Sequence, residues 1–305
     1  MGERTMFAKI NNRELYYEDY KSISSPVALY IHGGPGGIGG LDFSKYQGER
    51  LAQRCRVIVP DQRGVWRSQG IKDDENIELE DLIEDFEELR RLLHIEKWSI
   101  ICHSFGGYLS VLYENRYPDV IQSIIFENPS FDFALSEYEM CNQAIRWLKM
   151  NKKEKLSIFY KDVLSNSKNY RDVSQLLADI GNEMGLNADD IMWHGKNTDI
   201  IGALAKGSKD GKENWMRSIN MRLKILSDGR LYHSVFLKTG NIQKPCLLLK
   251  GKKDPITCEK QIKMLNEHAQ SCRIVNFINS GHWIHIEEAD RYADIVSSFL
   301  NENNR

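Results

Sequence analysis

The sequence predicts an α/β fold: a mostly parallel eight-stranded sheet covered by helices, interrupted by a helical insertion. Short apolar runs alternate with segments of helical periodicity in residues 1–130 and again in 236–305. Between them, residues 131–235 are rich in Lys, Asn, Asp and Glu and lack this alternation. Continuous apolar runs are typical of parallel strands buried on both faces. We therefore expect a core domain of residues 1–130 and 236–305 and a helical insertion of residues 131–235.

Eight short segments are expected to form the strands of this sheet. The first two flank Asn11 and Asn12, a pair of residues suited to a tight hairpin turn. The others are short apolar runs that end at Gly, Pro, Asp or Asn, or at a corner of small residues. The predicted strands cover residues 7–10, 14–18, 27–31, 56–59, 98–102, 121–126, 245–250 and 273–278.

Apolar residues at helical spacing predict the helices. In residues 79–93 the apolar positions recur every three or four residues, which is typical of a helix with one buried face. Pro118 ends the helix that follows the fifth strand, because proline cannot continue a helix. The predicted helices cover residues 79–93, 108–117, 138–149, 173–184 and 289–301.

The composition is that of a soluble globular chain. The 305 residues are 41% hydrophobic and 28% charged, and the formal net charge of −2 favours neither nucleic acid nor an anionic membrane as a partner. No apolar run could span a bilayer, and residues 1–10 lack the apolar core of a signal peptide. The six cysteines contain no CxxC pair, so we expect reduced thiols, no metal and no cofactor. These features predict a cytoplasmic protein and leave its oligomeric state open.

Ser104 is the candidate nucleophile. It stands where the apolar strand 98–102 turns directly into a helix, and Cys102 and Gly106 are the small residues that such a tight corner requires. A serine that caps a helix is the alternative explanation of this short motif. The corner resembles the nucleophile elbow of α/β hydrolases, in which the chain order is Ser, then an acid, then His.

His282 is the candidate general base. It follows the last predicted strand and precedes the last predicted helix, so it lies at the carboxyl end of that strand. Gly281 directly before it allows a tight loop. His285, three residues further on, is the competing histidine and lacks such a glycine.

Asp254 is the candidate acid of the triad. It follows the strand 245–250 in the turn before Pro255, where a carboxylate could orient the histidine and stabilise its protonated form. A simple turn-forming role is the alternative for Asp254. Glu127, at the end of the sixth strand, is the rival acid, and we favour Asp254.

A glycine-rich loop at residues 32–37 is the candidate second half of an oxyanion hole. Its sequence, His-Gly-Gly-Pro-Gly-Gly, fits no phosphate-binding motif. Glycines allow the backbone to approach a substrate carbonyl closely. We predict that Gly34, with Gly33 as the alternative, donates one N–H and that Phe105 donates the other. His32 is expected to order this loop through hydrogen bonds.

Asp61 and Arg63 belong to a charged loop after the fourth strand, with the sequence Asp-Gln-Arg-Gly at residues 61–64. A chain turning at the edge of a sheet needs its buried charges paired. We expect both residues to brace the loops around the site through salt bridges and to take no direct part in catalysis.

In combination these motifs resemble the proline iminopeptidase group of α/β hydrolases, the S33-type peptidases. The resemblance rests on HGGPGG at 32–37, DQRG at 61–64, the elbow at Ser104, and the turns that carry Asp254 and His282. It covers the whole predicted core. The chain departs from the group at three places: Cys102-His103 precedes the serine, Glu127-Asn128-Pro129 follows the sixth strand, and His194 follows Trp193.

The resemblance implies a cofactor-free acyl transfer to water through a covalent acyl-enzyme, with cleavage of the N-terminal residue of a short peptide or amide. The resemblance also implies that the helical insertion, residues 131–235, is a lid over the site, because peptidases of this group hold the free amine of the substrate with lid carboxylates. An esterase or a carbon–carbon bond hydrolase on the same core is the first alternative, and a non-catalytic ligand-binding protein is the second. The lid residues considered as amine ligands are Glu183, Asp189, Asp190 and Glu213.

Overall fold

In a computed structural model of the protein, residues 5–21, 26–195 and 200–304 are described. Within these ranges eight strands form one sheet, with the spatial order β1-β2-β4-β3-β5-β6-β7-β8. Strands β1 and β2 pair antiparallel, as do β2 and β4, and every other pair is parallel. The strands are β1 (Thr5–Ile10), β2 (Arg13–Tyr20), β3 (Val27–Ile31), β4 (Arg56–Pro60), β5 (Trp98–His103), β6 (Ile121–Glu127), β7 (Cys246–Gly251) and β8 (Cys272–Phe277).

Helices follow most of the strands. Those that pack on the sheet cover it on both faces, and those between β6 and β7 form a separate group. The helices are α1 (Leu41–Phe43), α2 (Glu49–Ala52), α3 (Leu79–Leu92), α4 (Gly106–Arg116), α5 (Phe133–Met150), α6 (Glu154–Asn166), α7 (Tyr170–Met184), α8 (Ile200–Gly207), α9 (Gly211–Ser227), α10 (Glu259–His268), α11 (Ile284–Glu287) and α12 (Ala289–Glu302). A π-helical segment, Ser44–Gly48, connects α1 to α2, and the 3₁₀ segments are Pro118–Val120, Gly185–Met192, Arg230–Tyr232 and Val235–Leu237.

The predicted fold class is confirmed, and each of the eight predicted strands is present within two residues of its expected bounds. The hairpin turn forms at Asn11 and Asn12, whose φ angles of 48° and 64° are those of a type I′ turn. The strands were predictable because their side chains are buried on both faces: in β5 all six residues are buried. The helices α1, α2, α6, α8, α9, α10 and α11 were not predicted.

Two apolar layers sandwich the sheet. The larger one packs α3 and α4 on one face, with Phe86, Leu89 and Leu109 in its centre. The other packs α12 on the opposite face through Tyr292 and Val296. Because both faces are covered, the open positions lie at the strand ends, where ligands bind in open parallel sheets.

The helices α5 to α9, which we call the helical block, lie between β6 and β7 in sequence. Among the described residues no strand interrupts them. Helices α5, α6 and α7 share an apolar cluster of their own, which also includes Ile256 and Ile286 from the flanking part of the chain. Helices α5 to α7 thus have a core of their own that packs on the strand-end loops, whereas α9 joins the core of the sheet through Met221 and Ile225. The role of the helical block as a lid, and the boundaries given above, stay predictions.

None of the described helices is long and apolar enough to cross a membrane. Residues 1–4 of the amino-terminal segment considered above lie outside the described residues.

Candidate active site

Ser104 occupies a sharp turn between β5 and α4. Its φ angle of 53° is in the left-handed region, which a non-glycine residue adopts at an energetic cost. The turn is held by the Ser104 N–H, which donates to the Glu127 carbonyl at 3.1 Å. A side chain at Gly106 could not fit, because its Cβ would lie 2.2 Å from the Ile31 carbonyl oxygen. The predicted need for small residues around this serine is therefore met.

The N–H groups predicted to form the oxyanion hole belong to Phe105, at the start of α4, and to Gly34. Among the described residues neither N–H donates a hydrogen bond. The Phe105 N–H lies where the helix dipole favours negative charge. Gly34 has a φ angle of 145°, a conformation that only glycine adopts readily. Both groups could therefore donate to a substrate oxygen.

His32 orders the glycine-rich loop, as predicted. Its Nδ1 donates to the Gly33 carbonyl at 2.6 Å, and its Nε2 accepts from the Gln62 N–H at 3.0 Å. Burial lowers the pKa of His32, so its ring is neutral and can accept this bond. The imidazole thus connects the loop after β3 to the loop after β4.

Asp254 and His282 form a buried hydrogen-bonded pair. His282 Nδ1 lies 2.8 Å from Asp254 Oδ1, and the Thr257 N–H donates to Asp254 Oδ2 at 2.9 Å. Lys250 Nζ lies 3.2 Å from the same oxygen. Burial alone would raise the pKa of Asp254, but Lys250 and the hydrogen bonds from His282 and Thr257 hold it well below its usual range. Asp254 is therefore an anion that can orient His282 and stabilise its protonated form.

Ser104 and His282 border one cavity of about 290 Å³ between the strand ends and the helical block. Among the described residues, the Ser104 hydroxyl forms no hydrogen bond with His282. Catalytic hydrogen bonds of this kind often reach their full geometry only when substrate binds. The other cavity-lining residues include the loop 33–39, Asp42, His103, Phe133, Glu137, Met140, Leu177, Met192, Arg222, Ile256 and Trp283.

Glu127, the rival acid, is bonded to His285 instead. His285 Nδ1 lies 2.8 and 3.0 Å from the two Glu127 carboxylate oxygens, and the His285 N–H donates to one of them at 2.9 Å. Both side chains are fully buried. Burial would lower the pKa of His285, but Glu127 and Asp42 raise it to about 10. His285 is therefore a buried imidazolium, and its pairing leaves Asp254 as the acid in contact with His282.

Two residues that sequence reasoning did not select hold the His282 loop. Asn128 donates through Nδ2 to the carbonyls of Gly281 and His282, both at 2.9 Å, and its Oδ1 accepts from the Gly251 N–H at 2.9 Å. His103 Nε2 donates to the His282 carbonyl at 3.0 Å. Burial and the neighbouring His282 lower the pKa of His103 to about 3, so its ring is neutral. The only sequence feature that could have singled them out is that each lies at the carboxyl end of a strand.

Three of the carboxylates considered as amine ligands do not line the cavity: Glu183 and Glu213 are exposed, and Asp190 is partly exposed. The side chain of the fourth, Asp189, lies outside the described residues. Among the described residues of the helical block, the carboxylate that lines the cavity is Glu137, on α5. Its position could not be found from sequence because it depends on how α5 packs.

Asp61 and Arg63 brace the surrounding loops, as predicted. Asp61 accepts from the Gly40 N–H at 2.8 Å and pairs with Arg67 at 2.7 Å. Arg63 forms two parallel bonds to the carboxylate of Asp85, at 2.6 and 2.5 Å. These pairs are buried, so they fix the loop geometry around the cavity.

Comparison with known proteins identifies one family over most of the chain. A family model described as the alpha/beta hydrolase fold matches residues 26–289. The proline iminopeptidase of Saccharolobus solfataricus is 25% identical over 97% of this chain and 92% of its own length. The putative proline iminopeptidase of Mycoplasma pneumoniae is 31% identical, but the match spans only 37% of this chain and 36% of that protein.

Solved structures share the fold at lower identity. A proline iminopeptidase-related protein from Thermus thermophilus superposes with a TM-score of 0.73 and 19% identity, covering 99% of both chains. A meta-cleavage product hydrolase from Pseudomonas fluorescens superposes with a TM-score of 0.64 and 16% identity, covering 97% of both chains. Identities this low establish a common fold and leave the substrate undetermined.

Proposed function

The chain belongs to the α/β-hydrolase fold family, and from that premise we propose that it is a serine hydrolase that removes the N-terminal residue from a small peptide or amide. The observation that carries the proposal is the pairing of Asp254 with His282 at 2.8 Å on the cavity that also contains Ser104. The homology to proline iminopeptidases supports the choice of substrate class.

The proposed reaction has two halves. Ser104 Oγ attacks the carbonyl carbon of the scissile bond while His282 Nε2 takes the hydroxyl proton, and the Phe105 and Gly34 N–H groups bind the oxyanion. His282 returns that proton to the leaving amine, and an acyl-enzyme remains. A water molecule, deprotonated by His282, then attacks the acyl carbon, and the proton returns to Ser104 as the acid product leaves. We further propose that the helical block acts as the lid over this site.

A fluorophosphonate probe and the variant Ser104→Ala test the nucleophile. We expect the wild-type protein to be labelled at Ser104, and Ser104→Ala to lose labelling and at least about 10⁴-fold in kcat. Ser110 is a matched control, since it is buried on the next turn of α4 and its hydroxyl donates to the Gly106 carbonyl. Ser110→Ala should still be labelled. Full turnover by Ser104→Ala would contradict the proposal.

A second candidate is an esterase or carbon–carbon bond hydrolase on the same core, favoured by the structural similarity to a meta-cleavage product hydrolase. A matched panel of aminoacyl anilides, their N-acetylated forms and short acyl esters separates the two. Preference for the anilides with a free amine supports the peptidase. Turnover of acyl esters alone would favour the esterase. Tight ligand binding without labelling of Ser104 would favour a non-catalytic binding protein.

A further inference from the structure

We propose that Asp42 is a specificity-determining residue, whose carboxylate on the core side of the cavity binds a cationic, hydrogen-bond-donating group of the substrate. Under the function proposed above, this group is the free amine of an N-terminal residue. The inference therefore rests on that function for the identity of the ligand.

Asp42 borders the catalytic cavity together with Ser104, His103 and Trp283. It lies on α1, just after the glycine-rich loop, and only 6% of its surface is exposed. A carboxylate this deeply buried needs partners, because removing a charge from water is costly. Because Asp42 borders the same cavity as the proposed nucleophile Ser104, a bound substrate could be one of these partners.

The hydrogen bonds of Asp42 leave one oxygen with spare capacity. Oδ1 accepts from the Phe43 N–H at 2.8 Å. Oδ2 lies 3.4 Å from His285 Nε2, and this contact is an ion pair without hydrogen-bond geometry. Among the described residues Oδ2 accepts no hydrogen bond. A carboxylate oxygen can accept two, so Oδ2 can receive an N–H from a ligand.

The charges around Asp42 leave a net negative charge at this side of the cavity. Glu127 and Asp42 flank the single imidazolium of His285, so two carboxylates share one positive charge. Glu127 lies closer, with two short contacts and a bond from the His285 N–H, so it neutralises most of that charge. The uncompensated part remains on Asp42, which faces the cavity. A cation of the substrate would offset it.

Glu137, the other carboxylate on the cavity, is less suited to this role. Each of its oxygens already accepts one hydrogen bond, one from the hydroxyl of Ser174 and the other from that of Tyr232 at 3.3 Å, whereas Asp42 Oδ2 accepts none among the described residues. Burial raises the pKa of Glu137, against the hydrogen bonds from Ser174 and Tyr232 and the charge of Arg222. Arg222 also lines the cavity on this side and would repel a cation.

The experiment compares two substrates that differ only in the presence of the ring amine. Prolyl 4-nitroanilide carries a cationic ring amine, and cyclopentanecarbonyl 4-nitroanilide has the same shape without it. The readout is the ratio of their kcat/KM values in the wild-type protein, Asp42→Asn and Glu137→Gln. Because it is a ratio within one preparation, the fraction of folded enzyme cancels. If the protein cleaves only esters, an aminoacyl 4-nitrophenyl ester and its des-amino counterpart replace the two anilides. The readout is then the ratio of the kcat/KM values of these two esters.

We expect Asp42→Asn to lower the preference for the amine-bearing substrate by about 10- to 100-fold, and Glu137→Gln to change it by less than about threefold. Asp42→Ser replaces Asp42→Asn if that variant does not fold. Retention of the wild-type preference in the Asp42 variant, or its loss in Glu137→Gln alone, would overturn the proposal. Failure to cleave any amide would overturn the proposed peptidase function alone, since the ester pair still tests Asp42.

Discussion

Two histidine–carboxylate pairs lie side by side at the carboxyl end of the sheet, and they differ in what surrounds them. His282 pairs with Asp254 after β7, and His285, three residues further on, pairs with Glu127 at the end of β6. The third partner of the first pair is a cation, Lys250, whereas the third partner of the second pair is an anion, Asp42.

This difference assigns opposite tasks to the same two residue types. Lys250 compensates the charge of Asp254, and the ring of His282 borders the cavity, where it can exchange a proton. His285 is enclosed between two carboxylates with no exposed surface, so its proton stays in place. A histidine beside an acid is therefore insufficient evidence for a catalytic base. Its role also depends on the charge of the third side chain in the cluster and on whether the ring reaches the cavity.

The largest effect that tests this comparison is expected from Asp254→Asn. An asparagine keeps the shape but cannot stabilise the imidazolium of His282, so kcat should fall by about 10⁴-fold. The measurement is steady-state turnover of the best substrate, with fluorophosphonate labelling as a second readout. A loss of less than tenfold would mean that Asp254 is not the acid of the triad.

Glu127→Gln should affect mainly stability. It leaves His285 as a buried imidazolium without its closest partner, and breaking a buried ion pair in this way costs about 3–5 kcal/mol. Urea unfolding measures this change as a lower transition midpoint at an unchanged slope. Labelling of Ser104 in the folded variant should stay within about tenfold of wild type. A 10⁴-fold loss of labelling with normal stability would instead assign Glu127 to the catalytic machinery.

The pH dependence of stability should separate His285 from His103. The pKa of His285 is raised to about 10. Its contribution to the free energy of unfolding is therefore fully present below about pH 6.5 and is lost as the pH rises toward 10. The pKa of His103 is lowered to about 3. Its contribution to the free energy of unfolding is therefore present above about pH 6.5 and is lost as the pH falls toward 3.

The measurement is the free energy of unfolding in urea from pH 4 to pH 10 for the wild-type protein, His285→Gln and His103→Gln. Relative to wild type, His285→Gln should flatten only the alkaline side of the pH profile, and His103→Gln should flatten only the acidic side. An unchanged alkaline side in His285→Gln would contradict an imidazolium between Glu127 and Asp42.

The strands and the positions of Ser104, Asp254 and His282 were predictable because each depends on a short stretch of sequence. A run of apolar residues marks a strand, and the residue just after it lies at the end where the site forms. The loop-bracing roles of His32, Asp61 and Arg63 followed from the same placement.

The remaining features depend on contacts between residues far apart in the chain. Glu127 and His285 are 158 residues apart, and no local pattern indicates that they meet. Asp42 lies on a helix of three residues, which is too short to show periodicity. Glu137 faces the cavity because of how α5 packs, and residue spacing alone does not fix the rotation of a helix about its axis. For the same reason Glu183, Asp190 and Glu213, which were considered first in the helical block, are not on the cavity.

The helical block also contacts the His282 loop directly, and this limits how the protein could be re-engineered. The His282 N–H donates to the Met192 carbonyl at 2.6 Å, and Trp193 stacks on Trp283 with ring centroids 4.5 Å apart. A replacement block taken from another hydrolase would have to present a carbonyl oxygen at the position of Met192. Without it, the buried N–H of His282 would lose its acceptor, so exchanging the helical block would also disturb His282, the proposed base.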